Sequence, residues 1–343
     1  MVRSSFVVVW TISIAIGLLH GVPGRAEEPN AAPTPRVATI NNAVPRLDTE
    51  GRIVDAHDGC LHKFGDRFFL YGTAYGKTDG FVKTNHYQCY SSSDLVAWKL
   101  EGDLFRNQNP PPGVYYRPYV IYNAKTGKYV LWYNWYPTLW DGQYGVATSD
   151  RPEGPFAIQN NNVAVARAKP GDLGLFVDDD AAAYLVYTSI ADDHGISVER
   201  LSDDYLSSTK ENSGILDTGC EAAVMIKRQN TYYVLFDVCC CFCPQGSGAR
   251  VFTASKPLGP YSTKNTNINR DANGNPIIAA QQTHIAQIPT ANGLTHIWMG
   301  DRWGSRPDGI KGHDFQYWGP LHFDAAGDMM PLERVDQWTI PLQ

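Results

Sequence analysis

Three acids from distant parts of the chain, Asp58, Asp172 and Glu221, each stand just ahead of an apolar segment with strand-forming residues. Carboxyl groups on separate elements can share hydrolytic work. One, kept protonated, donates to a leaving oxygen, while another, ionised, activates water on the opposite face; for inverting cleavage of an acetal the two stand roughly 6.5–9.5 Å apart. A third carboxylate can raise the acid's pKa through its charge, a role that suits Asp172. Glu221 has the strongest individual claim, because it begins an apolar strand among Cys220, Ala222, Ala223 and Val224, where an unpaired Glu is costly to bury. Asp58 before Gly59, and Asp172 after Pro170-Gly171, can also be read as turn residues. Asp178, Asp179 and Asp180 read as the solvated tip of a hairpin.

The elements that would position such a set are short strands, since no long stretch carries apolar residues at helical spacing. Five times a turn precedes an apolar aromatic strand: Phe68-Phe-Leu-Tyr-Gly72, Tyr129-Val-Leu-Trp-Tyr133, Ala183-Tyr-Leu-Val-Tyr187, Tyr232-Tyr-Val-Leu-Phe236 and Thr295-His-Ile-Trp-Met299. Measured between Leu70, Leu131, Leu185, Leu235 and Ile297, the intervals are 61, 54, 50 and 62 residues. The first four units each end on a second turn motif, as in Ser91-Ser-Ser-Asp94 and Ala147-Thr-Ser-Asp150. Repeats of this length, each of several short strands, predict an all-β fold, a five-bladed β-propeller. In such a fold the residues just before the aromatic strands converge on an axial funnel. Those residues are Asp58, Tyr116 with Arg117, Asp172, Glu221, and Gln282 with His284.

The 343 residues carry a net charge of −6, with Lys and Arg scattered through every segment, which excludes the basic stripe that nucleic-acid binding needs. The 9 Trp and 19 Tyr offer flat faces on which sugar rings stack. Trp135, Trp140 and Trp303 are candidates, with core packing the competing reading. Arg3, an apolar run over 6–19 and the small residues Gly24 and Ala26 predict a signal peptide over 1–26. A flexible leader is expected over 27–45 and a single propeller domain over 46–343. The mature protein is expected to be secreted or periplasmic, monomeric and free of the membrane. Seven cysteines in an exported chain predict disulfides. The run Cys239, Cys240, Cys241 and Cys243 lacks the spacing and His partner of a zinc site, and suggests a local disulfide set reaching Cys220.

Taken together, Ala56-His-Asp-Gly59, Gly65-Asp-Arg-Phe-Phe-Leu-Tyr-Gly72, Gly171-Asp-Leu-Gly-Leu-Phe-Val-Asp-Asp-Asp180 and Cys220-Glu-Ala-Ala223, in this order, resemble family 43 glycoside hydrolases, from about residue 50 to the end. The resemblance implies a five-bladed propeller that cleaves glycosidic bonds, with Asp58 as general base, Asp172 as the group that tunes and orients the acid, and Glu221 as general acid. The exo-β-1,3-galactanase branch is similar in Ala56-His57, Arg117-Pro118, Gln282-Thr-His284 and Asp301-Arg-Trp303. That branch has Gly in place of Asp58, uses a Gln as base, and has Glu in place of Tyr116. Gln282 is therefore the alternative base. The resemblance further implies an oligosaccharide or polysaccharide of galactose, arabinose or xylose type as partner, with His57, Tyr116, Arg117, Trp135, His284, Arg302 and Trp303 as substrate-binding candidates. It implies no required cofactor, and allows a metal ion on the propeller axis near His284. A propeller that binds sugar without cleaving it is the alternative function, and a disulfide-rich structural propeller a third.

Overall fold

The computed structural model of the chain describes Met1 and residues 36–238, 242–290 and 293–343. The expected signal segment lies outside the described residues, as do the start of the leader and Cys239, Cys240 and Cys241. Among the described residues no helix is long and apolar enough to cross a membrane.

Strand β1 (Arg36–Asn41) opens the described chain, and blade one follows as β2 (His57–Phe64), β3 (Arg67–Ala74), β4 (His86–Ser92) and β5 (Lys99–Asp103). Blade two is β6 (Val114–Asn123), β7 (Lys128–Tyr136), β8 (Gln143–Ser149) and β9 (Ala157–Asn160); blade three is β10 (Pro170–Val177), β11 (Ala183–Ser189), β12 (Gly195–Leu201) and β13 (Ser208–Asn212). Blade four is β14 (Cys220–Arg228), β15 (Thr231–Val238), β16 (Arg250–Ala254) and β17 (Ser262–Asn267). Blade five consists of β18 (Gln281–Thr290), β19 (Gly293–Arg302) and β20 (Phe315–Leu321), joined by β21 (Gln337–Leu342). Each blade is an antiparallel meander. The innermost strands touch in a closed cycle, β2 to β6, β10, β14, β18 and back to β2. The expected five-bladed propeller is what the chain forms.

Burial explains the order of strands within a blade. The aromatic segments are the second strands, β3, β7, β11 and β15, with nearly every residue buried, because both of their faces meet neighbouring blades. The outer strands β9, β13 and β17 are mostly exposed and polar, which protects the free sheet edges. The innermost strands are left to carry the polar residues that precede the aromatic segments.

Three expectations need correction. The leader does not extend over all of 27–45, since Arg36–Asn41 is a strand paired residue for residue with Gln337–Leu342. Its alternation buries Ala38 and Ile40 in the core shared by blades one and five, and β21 reaches β18 through Thr290 and Leu342, so the two chain ends close the ring together. The acidic tip is not wholly solvated: Asp178 binds Lys227 at 2.6 Å and the Tyr232 hydroxyl at 2.5 Å, tying blade three to blade four, while Asp179 stays exposed. Cys220 is a free, buried thiol, as are Cys60 and Cys89, so no disulfide reaches Cys220.

If the paired termini close the ring, Ile40→Ala should cost about 2–5 kcal/mol, the usual penalty for truncating a buried Ile. Urea unfolding followed by Trp fluorescence measures it. A change below about 0.5 kcal/mol, the range of ordinary surface substitutions, would mean that β1 is a passive attachment.

Candidate active site

All five innermost strands break register near the same end of the propeller. The shifts fall between His57 and Cys60, Tyr116 and Tyr119, Pro170 and Leu173, Glu221 and Val224, and Gln282 and His284. A bulge inserts an extra residue and re-aims side chains. Three of these bulges hold a non-glycine residue in the left-handed region: Asp58 (φ 60°), Arg117 (φ 50°) and Ala222 (φ 58°). Such conformations cost roughly 1–3 kcal/mol each and cluster at functional sites. Gly59 serves close packing, since a Cβ there would sit 1.7 Å from the Tyr71 carbonyl oxygen.

The bulges open onto one cleft lined by Asp58, Tyr116, Arg117, Asp172, Glu221 and Gln281, among others. Its hub is Arg117, 2% exposed, whose Nη2 lies 3.0 Å from Asp172 Oδ2 and whose guanidinium also donates to the Gln282 carbonyl at 3.3 Å. Burial opposes the Arg117 charge, but the fields of Asp172, Asp58, Glu221 and Asp301 outweigh it and raise its pKa. Asp172 Oδ2 also accepts from the Ala222 amide at 3.2 Å, which fixes Asp172 to the residue after Glu221. Gln281 Nε2 donates to Glu221 Oε1 at 2.8 Å, and Gln281 Oε1 accepts from Trp303 Nε1 at 2.8 Å.

Asp58 is 4% exposed; the Tyr75 hydroxyl donates to its Oδ2, and its own amide donates to Asp301 Oδ2 at 2.7 Å. Burial raises the Asp58 pKa; Arg117 pulls it down and Asp301 pushes it up, and the balance is about 6. Beneath it His57 meets two acceptors, Asp301 Oδ1 at 3.1 Å through Nδ1 and the Gly312 carbonyl at 3.2 Å through Nε2, so both ring nitrogens must donate. Burial disfavours that charge, but Asp301, Asp55 and the Gly312 carbonyl outweigh it and raise the imidazole to about 9.

Several candidates stand elsewhere. Gln282 is buried and fully engaged below the cleft, donating to the Ala222 and Leu235 carbonyls at 2.9 and 3.0 Å and accepting from Trp298 Nε1 at 3.0 Å. Gln281, its neighbour, lines the cleft instead. His57 is a support under Asp58 and does not line the cleft. Trp135 packs on Tyr115 in the core of blade two, with its Nε1 donating to the Asn161 carbonyl at 2.7 Å. Arg302 turns to the other face of β19, donating to the Asn42 carbonyl at 3.4 Å. Trp303, 2% exposed, backs the site as a packing wall. His284 lies nearer the far ends of the inner strands, where it lines a separate hollow with His62. Its Nδ1 accepts from the Tyr119 hydroxyl and its Nε2 donates to the Leu61 carbonyl at 3.1 Å. Burial and the neighbouring His62 hold it well below the ordinary histidine range.

Both His284 nitrogens have protein partners, and among the described residues no group of three His, Cys, Asp or Glu side chains gathers to hold a metal ion. The residues that the sequence reading missed are Tyr75, Gln281 and Asp301. Only Asp301 left a signal, in the Asp301-Arg-Trp303 motif.

The model of glycosyl hydrolases family 43 matches residues 53–300, most of the chain, including Asp58, Tyr75, Arg117, Asp172, Glu221 and Gln281. The chain belongs to that family. It is an O-glycosyl hydrolase, which removes the purely structural and sugar-holding alternatives. Among solved structures it is similar to a family 43 β-1,3-galactosidase bound to galactodeoxynojirimycin, at 26% identity and a TM-score of 0.75, over 87% of this chain and 99% of the other. An exo-β-1,3-galactanase from Clostridium thermocellum gives 26% identity and 0.76, over 88% and 67%. A variant of the Phanerochaete chrysosporium exo-β-1,3-galactanase with β-1,3-galactotriose gives 25% and 0.74, over 89% and 69%. No match is found among curated protein sequences.

Two measurements test this geometry. His57, titrated by NMR, should stay protonated through neutral pH and lose its proton near 9. Because the folded value exceeds the free value of about 6.5, its contribution to stability is fully present below about pH 6.5 and lost as pH rises through about 9. Asp301→Asn should lower the titration, and an unchanged curve would break the pairing. Gln282→Ala should destabilise the fold by about 1–3 kcal/mol by orphaning its buried partners, and denaturant unfolding that leaves stability intact would return Gln282 to the cleft.

Proposed function

We propose that the protein is an exported, inverting, exo-acting hydrolase of galactose- or arabinose/xylose-type polysaccharide, with β-1,3-linked galactan the first substrate to try. The observation that carries the reading is that Asp58, Asp172 and Glu221, from blades one, three and four, line one cleft around one buried arginine. The activities of the three similar enzymes favour galactose.

In this reading Glu221 is the general acid. Its proton passes to the glycosidic oxygen as the bond from that oxygen to the anomeric carbon breaks. Asp58, ionised, removes a proton from a water whose oxygen bonds to the anomeric carbon from the opposite face, so one water is consumed and the anomeric configuration inverts. Tyr75 engages Asp58 Oδ2, which leaves Oδ1 to receive the proton. Asp172 orients the acid's strand through the Ala222 amide and, with Arg117, fixes the field in which charge develops. Gln281 holds Glu221 Oε1 in place, while Gln282, the alternative base, is engaged below the cleft.

Glu221→Gln should cut kcat by about 10²–10⁴, and Asp58→Asn by a similar factor, with unfolding curves unchanged. The kcat/KM of the parent should rise with pH through about 6, where Asp58 ionises, and this limb should vanish in Asp58→Asn. Near-normal turnover in either variant removes that residue from its role. The anomer of the first product, read by NMR on galactan, arabinan and xylan, decides inversion, and the release of single sugars decides exo action. Export is tested by N-terminal sequencing of the secreted protein, expected to begin near Glu27.

A further inference from the structure

Behind the cleft lies a buried lysine that the proposed reaction does not use. Lys311 opens the short turn Lys311–His313 between β19 and β20, is 3% exposed and does not line the cleft. Its ammonium is set against ring faces: Nζ lies 3.4 Å from the ring centroid of Phe242, 3.9 Å from that of Trp303 and 5.0 Å from that of Tyr75. The three rings stand pairwise at 83–88° with centroids 4.9–5.7 Å apart, so they form three walls of a box around one cation. A cation over a ring face is attracted by the ring's quadrupole, most strongly where water is excluded. Burial pulls Lys311 down to about 8, while Asp58, Asp314 and Asp301 raise it and Arg306 lowers it, so the charge persists at neutral pH.

The backbone beneath this side chain is pinned separately. The Gly312 amide donates to the Gly76 carbonyl at 2.9 Å, the Gly312 carbonyl accepts from His57 Nε2 at 3.2 Å, and a Cβ on Gly312 would lie 2.3 Å from Asp55 Oδ2. The turn is therefore docked without the lysine side chain. What the ammonium touches is a pair of rings whose polar ends serve the two reacting carboxyl groups. The Tyr75 hydroxyl donates to Asp58; Trp303 Nε1 donates at 2.8 Å to Gln281, which in turn donates at 2.8 Å to Glu221. A cation on a ring face draws electron density from the ring and makes the attached O–H or N–H a stronger donor, and hydrogen bonds in series reinforce one another.

We propose that Lys311 is a positioning residue for both carboxyl groups, holding Tyr75 against Asp58 and Trp303 against the Gln281–Glu221 pair through its contact with their rings. This rests on the glycosidase reading and adds to it that the base and the acid share one buried support outside the cleft. Asp58 also faces Arg117, Asp301, Tyr75 and Asp172, so the part played by Lys311 is measured by removing its charge alone.

Lys311→Met does so while keeping an unbranched chain. It should lower kcat on β-1,3-galactan about tenfold, the rate equivalent of one desolvated cation–π contact, with KM changed by less than about twofold. Loss of a cation disfavours the ionised form of Asp58, so the limb of kcat/KM at about 6 should move up by about 1 pH unit. Lys311→Arg, which keeps a cation over the rings, should regain most of both losses. An NMR titration of the Asp58 carboxyl group in the resting protein should show the same displacement, and it needs neither substrate nor turnover. In the parent protein the Trp303 indole N–H resonance should move with a midpoint near 8 as Lys311 loses its proton, a measurement that holds even where Lys311→Met does not fold. Lower stability with kcat and the limb unchanged, or a rise in KM alone, would overturn the assignment, as would a Trp303 resonance unmoved across that midpoint. If the parent hydrolyses none of galactan, arabinan and xylan, the proposed function fails, and the Asp58 titration with and without the Lys311 charge then decides the role of Lys311 by itself.

Discussion

The site depends on one buried charge. Arg117 sits among Asp58, Asp172, Glu221 and Asp301, and without a cation between them these carboxylates could not share a low-dielectric cleft. Its pairing with Asp172 and its hold on the Gln282 carbonyl join blades two, three and five across the axis. The imidazolium of His57 supplies a second cation beneath Asp301. Lys311 and Arg46 also stand in the field of Asp301, and within this mixed cluster burial and Asp301 still raise the Asp58 carboxyl to about 6. A hydrolase that needs one acid and one base from chemically similar groups can use that asymmetry.

Backbone geometry delivers those groups. A regular inner strand would alternate its side chains between the two neighbouring blades, and the funnel would be lined by backbone. The register shifts at the axial end of all five strands turn polar side chains inward instead, at the expense of left-handed conformations at Asp58, Arg117 and Ala222. Closely packed second strands and the paired chain ends hold that strain in place.

Much of the fold was legible because propeller repeats are local. Turn, aromatic strand and closing turn recur at nearly constant spacing, and burial on both faces of the second strand demands continuous apolar residues there. The three acids were legible for a related reason: each stands at the start of an innermost strand, ahead of its repeat's aromatic segment. Gln281 and Gln282 show where this stops. They are adjacent, chemically identical and on opposite faces of one strand, and a one-residue bulge decides which reaches the cleft. Trp135 and Arg302 were misassigned on the same ground, since on β7 and β19 the face is set by packing between blades. The strand at Arg36–Asn41 was missed because its partner lies about 300 residues away.

The sequence by itself determined the number of blades, the order of strands within each, the family and the acids of the cleft, because all of these follow from local pattern and residue type. Only the tertiary structure decided which glutamine faces Glu221, that Tyr75 and Asp301 set the state of Asp58, that His57 carries charge while His284 does not, and that the chain ends close the ring. Those are consequences of burial and of contacts between residues far apart in sequence, where the field at a site is the sum over five blades.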